Sequence, residues 1–322
     1  MSIRGEQRNH RRPARGPQLP SAPGRAAAIA SLILVAAVVL VIVLDSGPDS
    51  TKPSVTVTPT ASAPRASQGS RTSRAVVHPG TVSVPILVYH VINAQPAGST
   101  APPSLYVPAD QFQSQMQALK SQGWHAVTLN QLEAYWTHGT SLGSGKPIVI
   151  TFDNGYASQY ANALPVLKGL GWVAVEDLQL TGLSPSDGGL TGTQIHGLIA
   201  AGWELDTQGL DHTDLTALDP SQLSSDLTGA RQMMQSQYGV TPNWFSYPSG
   251  DYNPTVTAAV RAAGYAGGVT VNQGWASANG DRFRMPRLVV TAGTAPSQLL
   301  AQIAAAQTST SVPAAYSGVG LA

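Results

Sequence analysis

The chain is predicted to fold as an α/β protein, and three observations support this fold class. Short apolar segments rich in β-branched residues recur along the chain, which is typical of buried parallel strands. Segments with the helical spacing of apolar residues separate them. About six to eight such units occupy residues 84–308, which suits a closed or nearly closed β/α barrel. A doubly wound open sheet is the alternative, although no G-x-G-x-x-G or Walker loop follows the first strand.

The first elements of this domain alternate regularly. The run PILVYH (85–90) predicts a strand, ADQFQSQMQALKSQG predicts a helix that stops at Gly123, and HAVTL (125–129) predicts a second strand. A helix in NQLEAYW follows. The run PIVITF (147–152) is a purely apolar strand, and ALPVLKGLG after it is helical.

The same alternation continues to the end of the domain. Strands are predicted in WVAVEDLQL, WELDT, WFSYP, YAGGVTV and RLVV, and helices in TQIHGLIAAG, SQLSSDLTGARQMMQSQYG, NPTVTAAVRAAG and APSQLLAQIAAAQ. The closing helix is followed by residues 309–322, which are predicted to form a loose tail.

The net charge of +1 is a cancellation between two different parts of the chain. Up to Arg74 there are ten Lys/Arg and three Asp/Glu, a net charge of +7; beyond it there are eight and fourteen, a net charge of −6. The acidic, lysine-poor domain has no footprint for nucleic acid. The absence of cysteine excludes a disulfide scaffold, a thiolate metal site and a cysteine nucleophile.

Residues 26–44 predict a transmembrane anchor. This uncharged run, AAAIASLILVAAVVLVIVL, forms a helix of roughly 28 Å, about the thickness of the bilayer's hydrocarbon core. Arginines in residues 1–25 predict a disordered cytoplasmic tail, and the Ser/Thr/Pro-rich residues 45–83 predict an extended stalk. The protein is therefore expected in the cell membrane, with a single pass and the barrel outside. A cleaved signal peptide is the alternative, although no small-x-small site follows Leu44.

Polar residues collect where the predicted strands end. They are Tyr89-His90, Asp153-Asn154-Gly155, the segment Asp206–His212, and Tyr247-Pro248-Ser249-Gly250. Because the carboxyl ends of parallel strands meet at one face of a barrel, these four groups are expected to form one site.

These segments resemble the polysaccharide deacetylase (NodB-homology) family, carbohydrate esterase family four, in the branch that opens with P-I-L-x-Y-H. VPILVYH is similar to that opening, and KPIVITFDNGYASQYANALPVLKGLGW to the T-F-D-D-G-Y region. AAGWELDTQGLDHTDLTAL is similar to the H-x-x-x-H region, and FSYPSGDYN to the F-x-Y-P-x-G-x-Y-N loop. The resemblance covers residues 84–307, essentially the whole domain.

The resemblance implies a distorted (β/α) barrel of the NodB type, with about seven strands, that removes N- or O-acetyl groups from sugars with one zinc-type divalent metal. Such a metal polarises the acetyl carbonyl and lowers the pKa of bound water. An aspartate takes the proton of that water, and backbone N–H groups hold the oxyanion. The implied partner is a glycan of the cell envelope, peptidoglycan or an exported polysaccharide.

By the same resemblance, Asp153 would be the base and His90 the proton donor to the leaving group. The loop Tyr247–Gly250 would present the Ser249 N–H to the oxyanion. Arg287, in MPRLVV, matches a late P-R-I/L pattern of the branch and would pair with the Asp153 carboxylate.

The sequence departs from the family at the metal ligands. The family's Asp-His-His triad corresponds here to Asn154, Gln208 and His212, and an arginine of many relatives corresponds to Ser246. Zinc sites rely on thiolate, imidazole and carboxylate. One imidazole and two neutral amides should bind a transition metal far more weakly, so the metal is expected to be weakly bound or absent.

Three functional hypotheses remain open. The first is a pseudo-deacetylase whose groove still binds glycan. The second is an active deacetylase in which Asp206, Asp211 or Glu204 replaces a missing ligand. The third is a metal-free glycosidase-like barrel that pairs Asp153 with Glu204 or Asp206. The order of motifs favours the deacetylase family, and the lost ligands favour reduced catalysis.

Overall fold

A computed structural model describes residues 78–99, 102–183, 185, 188–309 and 311–318. They belong to one compact unit, Arg71–Ala322. The predicted tail (1–25), the predicted anchor (26–44) and the stalk up to Val77 lie outside these ranges. Within the described ranges, no helix is long and apolar enough to cross a bilayer.

Strands and helices alternate as the sequence predicts. The strands of the described residues are β1 (Val84–Tyr89), β2 (Trp124–Val127), β3 (Lys146–Asn154), β4 (Val175–Leu178), β5 (Glu204–Thr207), β6 (Trp244–Ser246), β7 (Gly267–Val269), β8 (Trp275–Ala276) and β9 (Leu288–Val289). The helices are α1 (Ala109–Ser121), α2 (Leu129–His138), α3 (Leu164–Leu170), α4 (Gly192–Ala200), α5 (Pro220–Tyr238), α6 (Pro254–Ala262) and α7 (Pro296–Ala306). The sequence did not predict β8, a two-residue strand that pairs antiparallel with β1.

The strands form one sheet that curls into a half-barrel. Its main order is β7-β6-β5-β4-β3-β1-β8, with β2 paired to β3 and β9 paired to β1. All pairs except β1–β8 are parallel. Among the described residues, the β1 side and the β7 side of the curled sheet are linked in two places. Strand β9 pairs with β1, and Val269 of β7 forms a bridge with Met285. The predicted α/β barrel of about seven strands is thus confirmed in outline, with incomplete closure.

The two faces of the sheet pack into separate cores. On β1, Leu87 belongs to the cluster that includes residues of α1, α3, α4 and α7, whereas Ile86 belongs to the cluster on the other face, which includes residues of α2. This alternation follows from the two-residue period of a strand. Because both faces are covered, β3 reads as a continuous apolar run in the sequence.

Local sequence signals set the helix ends. The Thr128 side chain accepts from the Gln131 N–H and Gln131 accepts from the Thr128 N–H, so α2 begins with a capping box. The helix ends at Gly139, whose φ of 66° suits glycine. Because Thr128 directly follows β2 and also caps α2, the chain passes from strand to helix within one residue.

The end of the chain differs from the predicted loose tail. Tyr316 and Tyr252 exchange two backbone hydrogen bonds of 2.9 and 3.0 Å. The Tyr252 hydroxyl donates to the Pro313 carbonyl, and the Gly318 N–H donates to Asp251. Residues 311–318 therefore pack beside the segment that follows β6.

Candidate functional site

The predicted polar groups meet at the carboxyl ends of the central strands. His90 follows β1, Asp153 and Asn154 end β3, and Gln208 follows β5. Asp153 and Asp177 are partners in the register of β3 and β4. The expectation that one face collects these groups agrees with the topology.

Asp153 and Arg287 form the centre of this region. Arg287 donates from Nη1 to Asp153 Oδ1 at 2.7 Å and from Nη2 to Oδ2 at 2.8 Å. The arginine is fully buried and Asp153 is 2% exposed. Burial alone would raise the pKa of Asp153, but the charge and hydrogen bonds of Arg287 outweigh it and lower the pKa. The bidentate geometry fixes the orientation of the carboxylate.

Neighbouring polar groups form further hydrogen bonds with Asp153 and Arg287. Ser246 donates from its hydroxyl to Asp153 Oδ2 at 3.1 Å and accepts from Arg287 Nη2 at 3.0 Å. Gln208 directs its Nε2 to the same carboxylate oxygen at 3.5 Å, a long contact. Arg287 also donates to the Thr151 hydroxyl and the Thr270 carbonyl. Ser246 thus bridges the two partners of this ion pair.

Asp177 is a buried acid that the sequence analysis did not single out. Its Oδ2 lies 3.4 Å from Arg287 Nη1, and its Oδ1 has no hydrogen-bond partner within the described residues. Burial and the charge of Asp153 raise the pKa of Asp177 well above its usual value, against the opposing charge of Arg287. One arginine therefore faces two carboxyl groups, and the protonated form of Asp177 is favoured. The sequence feature that could have indicated Asp177 is the pair of adjacent acids in the otherwise apolar strand β4.

The two predicted histidines are held in their neutral forms. His90 is 7% exposed, and burial lowers its pKa to about 4 although the Asp153 charge acts in the opposite direction. Burial also lowers the pKa of His212, again against Asp153. Both imidazoles therefore offer one N–H donor and one nitrogen acceptor at neutral pH.

Backbone strain marks two positions at this face. Asn154 and Ser249 are the non-glycine residues with positive φ in the described ranges, at 78° and 53°. Glycine follows each of them, with φ of 88° at Gly155 and 77° at Gly250. Left-handed backbone of this kind costs about 1–3 kcal/mol for a non-glycine residue and concentrates at functional sites.

In the loop Tyr247–Gly250, the side chain of Tyr247 is buried in the domain interior. The Tyr247 hydroxyl donates to the Phe283 carbonyl at 2.7 Å, and its ring packs on Phe245 in a buried cluster. The assignment of Ser249 to an oxyanion remains a prediction.

The segment that carries Gln208 and His212 is fixed by hydrogen bonds to two other parts of the chain. Thr181 donates from its backbone and hydroxyl to the Leu210 carbonyl, and the Leu210 N–H donates to Asp226 Oδ2 at 3.3 Å. Gly209 has a φ of 93°, and a Cβ there would lie 2.8 Å from Asp226 Oδ1. Asp226, which sequence reasoning missed, positions this segment from α5.

The carboxylates considered as replacements have other partners. Glu204, at the start of β5, accepts from the Asn130 N–H at the beginning of α2. Asp206 is fully buried and accepts from two backbone N–H groups, those of Asn243 and Trp244. Asp211 accepts from the Thr213 N–H in an exposed turn. None of the three is bonded to Asp153 or to the predicted ligand positions among the described residues.

Two sequence comparisons with known proteins indicate the family of the chain. The sequence model of the family described as polysaccharide deacetylase matches residues 142–268. YxkH of Bacillus subtilis (strain 168), which is named as a polysaccharide deacetylase, is 30% identical over 221 residues, covering 68% of this chain and 76% of YxkH. The chain belongs to the polysaccharide deacetylase family.

Solved structures of the family share the fold. The Streptococcus pyogenes deacetylase PplD, solved in complex with acetate, has a TM-score of 0.63 and 27% identity; the match covers 70% of this chain and 99% of PplD. BC0361, a polysaccharide deacetylase from Bacillus cereus, has a TM-score of 0.61 and 22% identity, with 69% of each chain covered. At 22% identity, the likeness to BC0361 supports the NodB-type fold alone.

The family match includes some predicted site residues and leaves others out. Residues 142–268 include Asp153, Asn154, Gln208 and His212, so the predicted ligand positions lie inside the matched polysaccharide deacetylase region. Arg287 lies outside it, 134 positions along the chain from Asp153.

Proposed function

We propose that this polysaccharide deacetylase homologue binds N- or O-acetylated glycan of the cell envelope and hydrolyses it weakly or not at all. The observation that carries the proposal is the set of residues at the predicted ligand positions, Asn154, Gln208 and His212, two of which are neutral amides. The Asp153 carboxylate is also engaged, because Arg287 donates to both of its oxygens and Ser246 donates to Oδ2. A general base needs an oxygen directed at the water that it deprotonates.

The donor set does not fit a zinc-type ion. Asn154, Gln208 and His212 supply two neutral amides and one imidazole, whereas zinc sites use thiolate, imidazole and carboxylate. Gln208 points its Nε2 at Asp153, and its Oε1 is buried without a partner in the described residues. Across the part of the chain that the structure describes, no group of three His, Cys, Asp or Glu residues could hold a metal ion. No step of the proposed function therefore depends on a metal.

Several polar groups at the strand ends are suited to sugar recognition. The His90 and His212 imidazoles are neutral, so each has one donor and one acceptor for hydroxyl or amide groups. Asn154, which is 7% exposed, adds a side-chain amide at the end of β3. Binding through such groups requires no activated water, which is consistent with the engaged state of Asp153.

The proposal includes a location outside the cytoplasm. Residues 26–44 would anchor the chain in the cell membrane, and residues 45–83 would hold the domain away from its surface. The chain has no cysteine, so single-cysteine variants Ser2→Cys and Ser67→Cys report topology directly. A membrane-impermeant maleimide added to intact cells should label Ser67→Cys alone; labelling of Ser2→Cys alone would contradict the orientation.

The function is tested on the purified full chain. Metal analysis should give far less than one zinc per chain, and titration calorimetry should detect binding of N-acetylated chitooligosaccharide without acetate release. His212→Ala should weaken binding, whereas His138→Ala, at the exposed end of α2, should not. One tightly held zinc per chain together with acetate release would overturn the proposal.

A further inference from the structure

The C-terminal segment (residues 311–318) is fixed beside the chain that follows β6. Within it, Tyr316 exchanges two backbone hydrogen bonds with Tyr252, and the Pro313 carbonyl accepts from the Tyr252 hydroxyl at 2.8 Å. Arg284 donates from Nη1 to the same carbonyl at 2.9 Å. Because these bonds come from two different parts of the domain, they define the position of the segment.

Asp251, the residue before Tyr252, is oriented by this segment. The Gly318 N–H donates to Asp251 Oδ1 at 2.7 Å. A carboxylate has about four acceptor positions, so this bond leaves acceptor capacity for a ligand. The Asp251 side chain is half-buried, and solvent therefore reaches it. The bond joins two residues that are 67 positions apart in the chain.

Asp251 also belongs to the region of the candidate site. It directly follows the loop Tyr247–Gly250, in which Ser249 and Gly250 have positive φ. Burial lowers the pKa of His212, and Asp251 is one of the carboxylates whose charge acts against that shift. Because the interaction between two charges weakens with distance, this effect indicates that Asp251 lies near His212.

A carboxylate in this position matches the hydroxyl groups of a sugar. An ionised carboxyl group only accepts hydrogen bonds, and every sugar hydroxyl can donate one. Hydrogen bonds to an ionised acceptor are about twice as strong as those between neutral groups. Asp153 already receives Arg287 at both of its oxygens. Asp251 therefore offers the region an ionised acceptor outside that buried ion pair.

We infer that the C-terminal segment positions Asp251 as an acceptor for a hydroxyl group of the bound glycan. The Gly318 N–H would fix Oδ1, and Oδ2 would accept from the sugar. The inference rests on the proposed function, because the glycan would occupy the strand ends next to His212. It assigns a role in recognition to a segment that lies far from the strand-end motifs in the sequence.

Asp251→Asn separates recognition from stability. Its amide oxygen can still accept from the Gly318 N–H, so the variant should melt at the wild-type temperature. The charged acceptor is lost, and the dissociation constant for N-acetylated chitotetraose should rise by about tenfold. Titration calorimetry on the purified full chain measures this change. Asp110→Asn is the matched control, because it removes the same charge from an exposed position in the first turn of α1 and should keep the wild-type affinity.

Two shortened chains test the role of the segment itself. A chain that ends at Ser309 lacks the Tyr316 carbonyl, so the Tyr252 N–H should exchange its hydrogen faster, as followed by NMR. Its affinity for chitotetraose should fall by at least about tenfold, because Asp251 also loses the Gly318 N–H. A chain that ends at Gly318 keeps the segment and should match the wild type in both measurements.

Wild-type affinity in Asp251→Asn would overturn this inference and leave the proposed function intact. Wild-type affinity in a folded chain that ends at Ser309 would overturn it as well. If that shortened chain does not fold, the affinity and melting temperature of Asp251→Asn decide the question. If the wild-type chain binds no chitotetraose, the proposed function is rejected and this inference with it.

Discussion

Arg287 and Asp153 are joined by two hydrogen bonds of 2.7 and 2.8 Å in the interior of the half-barrel. The pair connects β3 with the segment next to β9, and Ser246 of β6 bonds to both partners. A buried carboxylate is stable only when its charge and lone pairs are matched. This ion pair therefore links the stability of the domain to the state of its candidate site.

Loss of the arginine should destabilise the domain strongly. Arg287→Met leaves the buried Asp153 carboxylate without its partner, and we expect a loss of about 3–5 kcal/mol in the free energy of unfolding. Urea denaturation measures this loss. Arg284→Met is the control, because its pair with Asp281 is partly exposed and should contribute less than about 1 kcal/mol. Equal losses in the two variants would contradict a structural role for the buried pair.

Restoring the family's ligand types should restore metal binding. Asn154→Asp combined with Gln208→His supplies a carboxylate and a second imidazole beside His212, which are ligands that zinc uses. Zinc at 100 times its dissociation constant should stabilise the double variant by about 2.7 kcal/mol, and the wild type by much less. Thermal melts with and without zinc measure the difference, and each single variant serves as a control. No zinc effect in the double variant would mean that the strand ends have diverged beyond these two positions.

Asp226 should make stability depend on pH in the mildly acidic range. Burial raises its pKa to about 6, and Asp211 adds to the shift while the Leu210 N–H opposes it. Its unfolded pKa is about 3.9, so between pH 4 and 6 the unfolded chain loses a proton that the folded chain keeps. The contribution of Asp226 to the stability of the folded domain is therefore fully present below pH 4 and is lost as the pH rises to 6.

Asp226→Asn removes this titration. The variant should gain stability relative to the wild type between pH 4 and pH 7, by about 1 kcal/mol after allowance for solvent screening. Urea denaturation at pH 4, 5, 6 and 7 gives the difference at each pH. A difference that stays constant across the series would show that Asp226 does not titrate in this range.

His90 should remain neutral through the physiological range. Burial lowers its pKa to about 4, with the Asp153 charge acting against this shift. Two-dimensional NMR of the imidazole nitrogens should show no His90 titration between pH 5.5 and 8. Asp153→Asn removes the opposing charge and should lower the pKa further. A His90 pKa near 6.5 in the wild type would contradict its burial at the site.

The alternation of strands and helices was readable from local sequence. The apolar run in β3 and the Thr128–Gln131 capping box of α2 involve neighbours along the chain, and their periods and spacings appear directly in the residue order. The two-residue strand β8 was missed because its pairing with β1 depends on a distant segment rather than on its own composition.

The residues of the candidate site were largely predictable, but their relationships were not. Motifs at strand ends pointed to Asp153, Asn154 and His212, and a family pattern pointed to Arg287. Asp177 and Asp226 were missed, since the residue order does not show which distant groups lie beside an acid in a strand or a helix.

The sequence by itself determined the alternating α/β order and the residue types at the strand ends, and it predicts amides at two of the family's ligand positions. Only the tertiary structure decided that Gln208 turns its N–H toward Asp153, and that one arginine faces two carboxyl groups. It also decided that a cavity with polar and apolar lining residues adjoins Asn154. These features depend on contacts between strands far apart in the chain. Residue identity limits such contacts, but the curl of the sheet and the burial of charge select among them.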